Sequence, residues 1–311
     1  MYIADIALPI LSLFFYVWFR KKDVRKFECF LSLATAGIGA LYLFLSSDWV
    51  FGPGYYARFI MAAVYLYLLA RSIFIFRKEP FAISKKIKHL IIPLFCILSG
   101  VFLTVQIITY LSGYSYKETA VKLSFPFKDG VYEVFWGGNG ENSPLMNYHY
   151  SFEPFVANGL NESMQFATDI VKLNALGRDR KGMNPTELEK FEIFGEKIYS
   201  PCDGKIIDIQ SGWKDTKIGD TDVPFNTGNT IIIETGDVYV LLAHIKDGSI
   251  LVNIGDSVKQ GQPLAEAGSS GLSSGIPHLH MQVMKGAYWG AEGLPIDFDS
   301  RFPVKNSIFI R

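Results

Sequence analysis

Four long apolar stretches fill the first 112 residues, and they restrict what that part of the chain can become. They run over roughly 3–19, 27–47, 56–76 and 89–112. A bilayer core about 30 Å thick is crossed by about 20 helical residues, so each stretch predicts a transmembrane helix. The first carries Asp5 near its start and has its basic cluster behind it, the reverse of a signal peptide, which predicts a retained helix. The loops differ sharply in charge. The first holds Arg20, Lys21, Lys22, Arg25 and Lys26, and the third holds Arg77, Lys78, Lys85, Lys86 and Lys88, whereas 46–55 has no Lys or Arg. Basic loops stay cytoplasmic. The chain is thus expected to be a multi-pass cell-membrane protein, with its N-terminus and everything after Gly113 outside. Arg58 and Arg71, near the ends of the third stretch, are expected to snorkel to the interface. Tyr16, Trp18, Trp49, Tyr55, Tyr56 and Tyr110 fit an aromatic belt, and His89 reads as an interfacial residue.

After residue 113 the pattern changes. Residues 114–129 read as a linker and 130–311 as a β-rich domain of short runs separated by Gly, Asp and Asn. Strands are expected over Val131–Trp136, Ile206–Gln210, Thr230–Glu234, Val238–His244, Pro263–Ala267 and Leu279–Met284. Asn184-Pro185 predicts the start of a short helix within a surface insertion, 174–194, with Asn as cap and Pro at the first position. With 30 basic and 30 acidic residues the formal charge is zero, which argues against a nucleic-acid partner. The three cysteines form no Cys-x-x-Cys and no disulfide framework in the soluble part.

The chemistry concentrates in histidines. Pro277-His278-Leu279-His280 puts two of them two residues apart, on the same face if the segment is a strand. His244 closes the run Tyr239–His244, and His149 lies in Asn147-Tyr148-His149-Tyr150. Histidines at strand ends beside glycine loops suit a metal centre, because zinc takes imidazole and carboxylate ligands and keeps one position for water in catalytic sites. Such a site also needs groups to take a proton and to stabilise an oxyanion.

These phrases resemble the lysostaphin-like, LytM-type zinc metallopeptidases, enzymes that cut peptide links in bacterial cell wall. The matching segments are Gly195 to Ile206, Leu242-Ala243-His244 followed by Gly248-Ser249, Gly255-Asp256-Ser257-Val258-Lys259-Gln260-Gly261-Gln262, and Gly271 through His280. They cover about residues 130–300 and none of the apolar stretches. The resemblance implies a mainly antiparallel β-domain, here following the four expected membrane helices, with a bound zinc ion and peptidoglycan or another peptide as substrate. By position, Asp169 and His280 would bind zinc, and His244 and His278 would be catalytic. The family usually has His-x-x-x-Asp where this chain has Gln165 to Asp169. An amide is a poor zinc ligand beside imidazole. In a branch of the family with an Asn-x-His phrase upstream, the site would be rebuilt from His149, Asp169 and His280. The alternative is an inactive domain that binds cell wall or regulates a membrane partner. Loops 211–228 and 174–194 are expected to wall the groove.

Overall fold

A computed structural model describes residues 26–77, 90–220, 223, 225–273, 275–286 and 291–311. The apolar stretch at 3–19, most of both basic loops and His89 lie outside the described residues. The chain divides into two compact units: Met1–Trp49 with Tyr56–Tyr110, and Val50–Tyr55 with Leu111–Arg311.

In the first unit, three of the expected spans are helices: α1 (Lys26–Ser46), α2 (Ala57–Phe76) and α3 (Ile91–Ser112). Each is long and apolar enough to cross a membrane. They meet through small and polar residues, as helices do where water does not drive association. Thr35 Oγ1 on α1 donates to the Cys96 carbonyl on α3 at 3.0 Å, and the Tyr65 hydroxyl on α2 donates to the Leu33 carbonyl at 3.1 Å. Gly37 permits the second contact, since a Cβ there would fall 2.1 Å from the Tyr65 oxygen. The apolar faces of α2 and α3 are turned outward, with Ile60, Phe74, Ile91 and Ile108 all exposed. Arg58 departs from the expectation of snorkelling: it is buried, with its guanidinium 4.0 Å over the Phe44 ring. The planar cation finds its partner in the ring face instead of water.

The second unit is a β-domain. Strands β1 (Val121–Leu123), β2 (Val131–Trp136), β3 (Thr168–Leu173), β4 (Lys197–Tyr199), β5 (Gly204–Gln210), β6 (Asn229–Thr235) and β7 (Val238–Ile245) are followed by β8 (Ser257–Val258), β9 (Pro263–Glu266), β10 (Leu279–Lys285), β11 (Glu292–Leu294), β12 (Ile296–Phe298) and β13 (Ser307–Ile310). Among the described residues, the main antiparallel sheet runs β13-β2-β3-β10-β7-β6-β5-β8, with β11 also paired to β10. All six expected strands form with ends shifted by at most two residues. Residues 114–129, expected as a linker, hold β1, which pairs in parallel with β12, and place Phe125 and Phe127 in the core. The helix expected from Asn184 does not form. Only a 3-10 turn, Leu188–Lys190, follows.

Strand β10 shows how the sequence builds the site. Its residues alternate between faces. Leu279, Met281 and Val283 join the main core, whereas Met284 belongs to a cluster with Ile232, Leu241 and Ala243 on the other face. His280 and Gln282 share that second face and are fully enclosed. Burying two polar side chains on a central strand is costly unless each finds partners. Those partners are the site.

Candidate active site

Register brings the first two residues together. On β10 His280 stands directly opposite Asp169 on β3 and Ala243 on β7. A bulge in β2 between Val134 and Trp136 brings Trp136 opposite Asp169. Asp169 Oδ1 lies 2.9 Å from His280 Nδ1, and Oδ2 lies 3.2 Å from His149 Nε2. His149 comes from elsewhere, on the 3-10 turn His149–Ser151. His149, Asp169 and His280 are all buried, with ligating atoms within 4.8 Å of one another.

Gln165 does not join them. Its amide donates to Asn139 Oδ1 at 3.2 Å and Glu141 Oε2 at 3.0 Å, and it lines no part of the cavity. Of the two candidates the sequence left open, His149 is the side chain that faces the carboxylate.

Hydrogen bonds fix the tautomers. Gln282 Nε2 donates to the Ser163 carbonyl, so its Oε1 accepts from His280 Nε2 at 3.0 Å. Asn147 Nδ2 donates to the carbonyls of Gly138 and Ala167, each at 2.9 Å, so its Oδ1 accepts from His149 Nδ1 at 2.7 Å. His280 Nδ1 and His149 Nε2 therefore both point lone pairs at a carboxylate. Three acceptors converging in a closed space demand a cation or a proton among them. Two imidazoles and a carboxylate are the donor set a zinc-like divalent ion takes, and the residues fit such an ion. Burial alone would raise the pKa of Asp169, but the charges of His149 and His278 outweigh it and hold the carboxyl well below its usual range. Burial pushes His149 down. It pushes His280 down too, but the hydrogen bond and charge of Asp169 prevail and leave that pKa raised.

His244 and His278 stand beside this cluster, not in it. Their ring centres are 4.6 Å apart, and His278 Nε2 is 3.7 Å from Asp169 Oδ1, too far for a hydrogen bond. Each Nδ1 donates to a backbone carbonyl, His244 to Ser270 at 2.8 Å and His278 to Ile276 at 2.7 Å. Nε2 is left in each as the proton-accepting nitrogen. Burial lowers the pKa of both, His244 well below the usual value with help from the positive potential of His278 and His280. Both are therefore neutral near pH 7. His244 has φ of 58°, a left-handed conformation at the end of β7 that histidine adopts more readily than most residues.

All five residues line one cavity of about 370 Å³. Phe225, Asn226 and Thr227 come from the loop 211–228 expected to wall it. The lining residues include none from 174–194; the second wall is built by 148–160 around the short helix α4 (Glu153–Ala157). Asn147, fully buried and orienting His149, was not among the expected site residues. Its signal was its place two residues ahead of a histidine.

The fold and site define a β-domain with a buried two-histidine, one-carboxylate cluster flanked by two neutral histidines. Residues 190–297 match the model of Peptidase family M23, so the chain carries an M23 domain. The matched span contains His244, His278 and His280, whereas His149 and Asp169 precede it. Among curated proteins, the peptidoglycan DD-endopeptidase ShyB of Vibrio cholerae is 36% identical over 90 residues, 29% of this chain and 18% of that protein. The match thus spans less than a fifth of that relative's length. Among solved structures, a zinc-containing peptidase from Vibrio cholerae is 21% identical with a TM-score of 0.33, covering 57% of this chain and 39% of that one. The antimicrobial peptidase lysostaphin from Staphylococcus simulans is 23% identical with a TM-score of 0.28, covering 42% and 41%.

Proposed function

We propose that this chain is a membrane-anchored zinc endopeptidase that hydrolyses peptide bonds, with the peptides of bacterial cell wall as its substrate class. The observation that carries the reading is the convergence of His149, His280 and a buried carboxylate beside His244 and His278, each of which donates Nδ1 to a backbone carbonyl. His149, Asp169 and His280 hold the ion, and zinc in such a site supplies Lewis-acid activation of a water and of the scissile carbonyl. His244 or His278, with Nδ1 engaged by a carbonyl, accepts the proton from the attacking water at Nε2. The imidazolium that results then donates to the oxyanion or the leaving amine. Low intrinsic basicity keeps both rings unprotonated until the reaction supplies the proton. On this reading helices α1 to α3, each long and apolar enough to cross a membrane, anchor the chain in the bilayer, and the asymmetry of the loop charges supports an extracytoplasmic β-domain. The M23 family match and the peptidoglycan endopeptidase among its relatives support the choice of substrate.

The test is zinc content and hydrolysis of purified cell-wall sacculi by the full chain in detergent. One zinc per chain and release of peptide ends, abolished by a chelator and restored by zinc, are expected. A folded chain that binds zinc and releases no ends from any wall preparation or peptide overturns the hydrolytic reading.

Asn147 tests the support of the site. Asn147→Ala removes the acceptor that orients His149 and leaves the Gly138 and Ala167 carbonyls without that donor. Loss of such a supporting hydrogen bond weakens metal affinity by about 10–100-fold. Titration against a chelating dye is expected to show a fall in that range, with the overall fold retained.

A further inference from the structure

One wall of the cleft comes from a distant part of the sequence. Val50–Tyr55 is flanked on both sides by stretches of the first unit, yet it folds with the β-domain. Val50 is completely buried against Phe135, Val171 and Leu173. The Tyr55 backbone N–H donates to the Gly177 carbonyl at 2.7 Å. Gly54, at φ of 101°, lies so near the Leu176 carbonyl that a Cβ would approach it to 2.4 Å. The Arg180 guanidinium lies 5.3 Å from the centre of the Phe51 ring. A loop fastened this firmly fixes the side chain it carries.

That side chain is Phe51. Its ring packs edge-on to Phe135 at 5.2 Å, and Phe135 packs edge-on to His278 at 5.4 Å. Phe51 lines the same cavity as the histidines and Asp169. Further aromatic wall follows from Tyr148 to Phe152 to Phe155 to Phe225, in successive ring contacts of 5.5, 5.2 and 5.4 Å. Phe225 remains 40% exposed although it lines the cleft. Aromatic side chains thus line the cleft that holds the histidines and Asp169, as apolar walls do in sites that take apolar groups.

We propose that Phe51 is a specificity-determining residue. With the aromatic wall it forms a subsite for a bulky apolar side chain, of the leucine or phenylalanine kind, next to the scissile bond. The inference rests on the hydrolytic part of the reading above and goes beyond its wall-peptide substrate class, since it favours bulky apolar side chains over glycine and alanine links. Peptides carrying such a residue are cut in preference to those with glycine or alanine there.

The test uses the full, zinc-loaded chain in detergent and a peptide library whose cleavage sites are mapped by mass spectrometry. Cuts are expected to share one flanking position occupied by Leu, Ile, Met, Phe or Tyr. A matched pair differing there as Leu against Gly should show kcat/KM at least about tenfold higher for Leu, since one or more methylenes in an apolar pocket discriminate by that order. Phe51→Ser should bring the ratio close to one, mainly through KM, and Phe51→Leu should restore most of it. Thermal unfolding of each variant separates this from a folding defect. A flat or glycine-preferring profile, or a ratio unchanged in Phe51→Ser, overturns the proposal. If the zinc-loaded chain cuts no peptide, the hydrolytic reading fails, and the subsite is judged by calorimetric binding of the same pair. A tenfold difference in Kd that Phe51→Ser erases sustains it, and equal affinities reject it.

Discussion

His278→Ala is expected to lower peptide cleavage by about 10²–10⁴-fold, the range a positioned acid or base contributes, while one zinc remains bound per chain. The split between the two readouts follows from geometry. His278 Nε2 stands 3.7 Å from the nearer oxygen of Asp169 and contributes no atom to the buried cluster. Its Nδ1 proton is committed to the Ile276 carbonyl, so its one available function is to accept or return a proton at Nε2. The same holds for His244, but alanine is the wrong probe there. At φ of 58°, alanine would add backbone strain to the loss of the ring. Asparagine tolerates that conformation, so His244→Asn isolates the chemistry. Both variants are measured for zinc by metal analysis and for rate on the same substrate. If either loses zinc in step with activity, that histidine is a ligand and the division of roles is wrong.

Much of this was legible in the residues before any coordinates. Alternation along Leu279–Met284 predicted a strand carrying His280, and β10 has that form, although His278 lies just ahead of its first residue. Apolar runs of about 20 residues gave three helices where the described residues test them. What escaped was whatever depends on contacts distant in sequence. Strand β3 hid because Thr168–Leu173 reads as a ligand motif until its pairing with β2 and β10 is seen. Phe125 and Phe127 looked like linker because nothing local shows that β1 pairs with β12. The segment 174–194 presented a capping signal, and the signal alone did not make a helix: a 3-10 turn leads straight into the buried Phe191 and Ile193. Phe51 sat in a loop between two apolar helices, and no pattern in the sequence connects it to His278.

The third member of the cluster, His149, was expected from the Asn-x-His phrase with Gln165 as the competing position, and one comparison decides between them. His149→Ala is expected to abolish stoichiometric zinc binding, weakening affinity by more than the roughly 10–100-fold that loss of a supporting hydrogen bond costs. Hydrolysis would go with it. Gln165→Ala is expected to keep both, with a loss of stability only. Gln165 spends its amide on Asn139 and Glu141, and its backbone carbonyl, which accepts from Gly140 N–H at 2.8 Å, is untouched by the substitution. His149 Nε2 faces Asp169 Oδ2 at 3.2 Å with its other nitrogen fixed by Asn147. Removing that ring leaves His280 and Asp169 as a two-donor site, one short of the three protein ligands a catalytic zinc takes. Zinc retained in His149→Ala and lost in Gln165→Ala would mean that the amide swings in when the ion binds, and the cluster drawn here would be wrong. Retention in both would leave Asp169 and His280 holding the ion with a donor outside the cleft's present arrangement. The expected pattern, loss with His149 alone, would make a histidine sixteen residues upstream of the usual position the working replacement for the one this chain lacks.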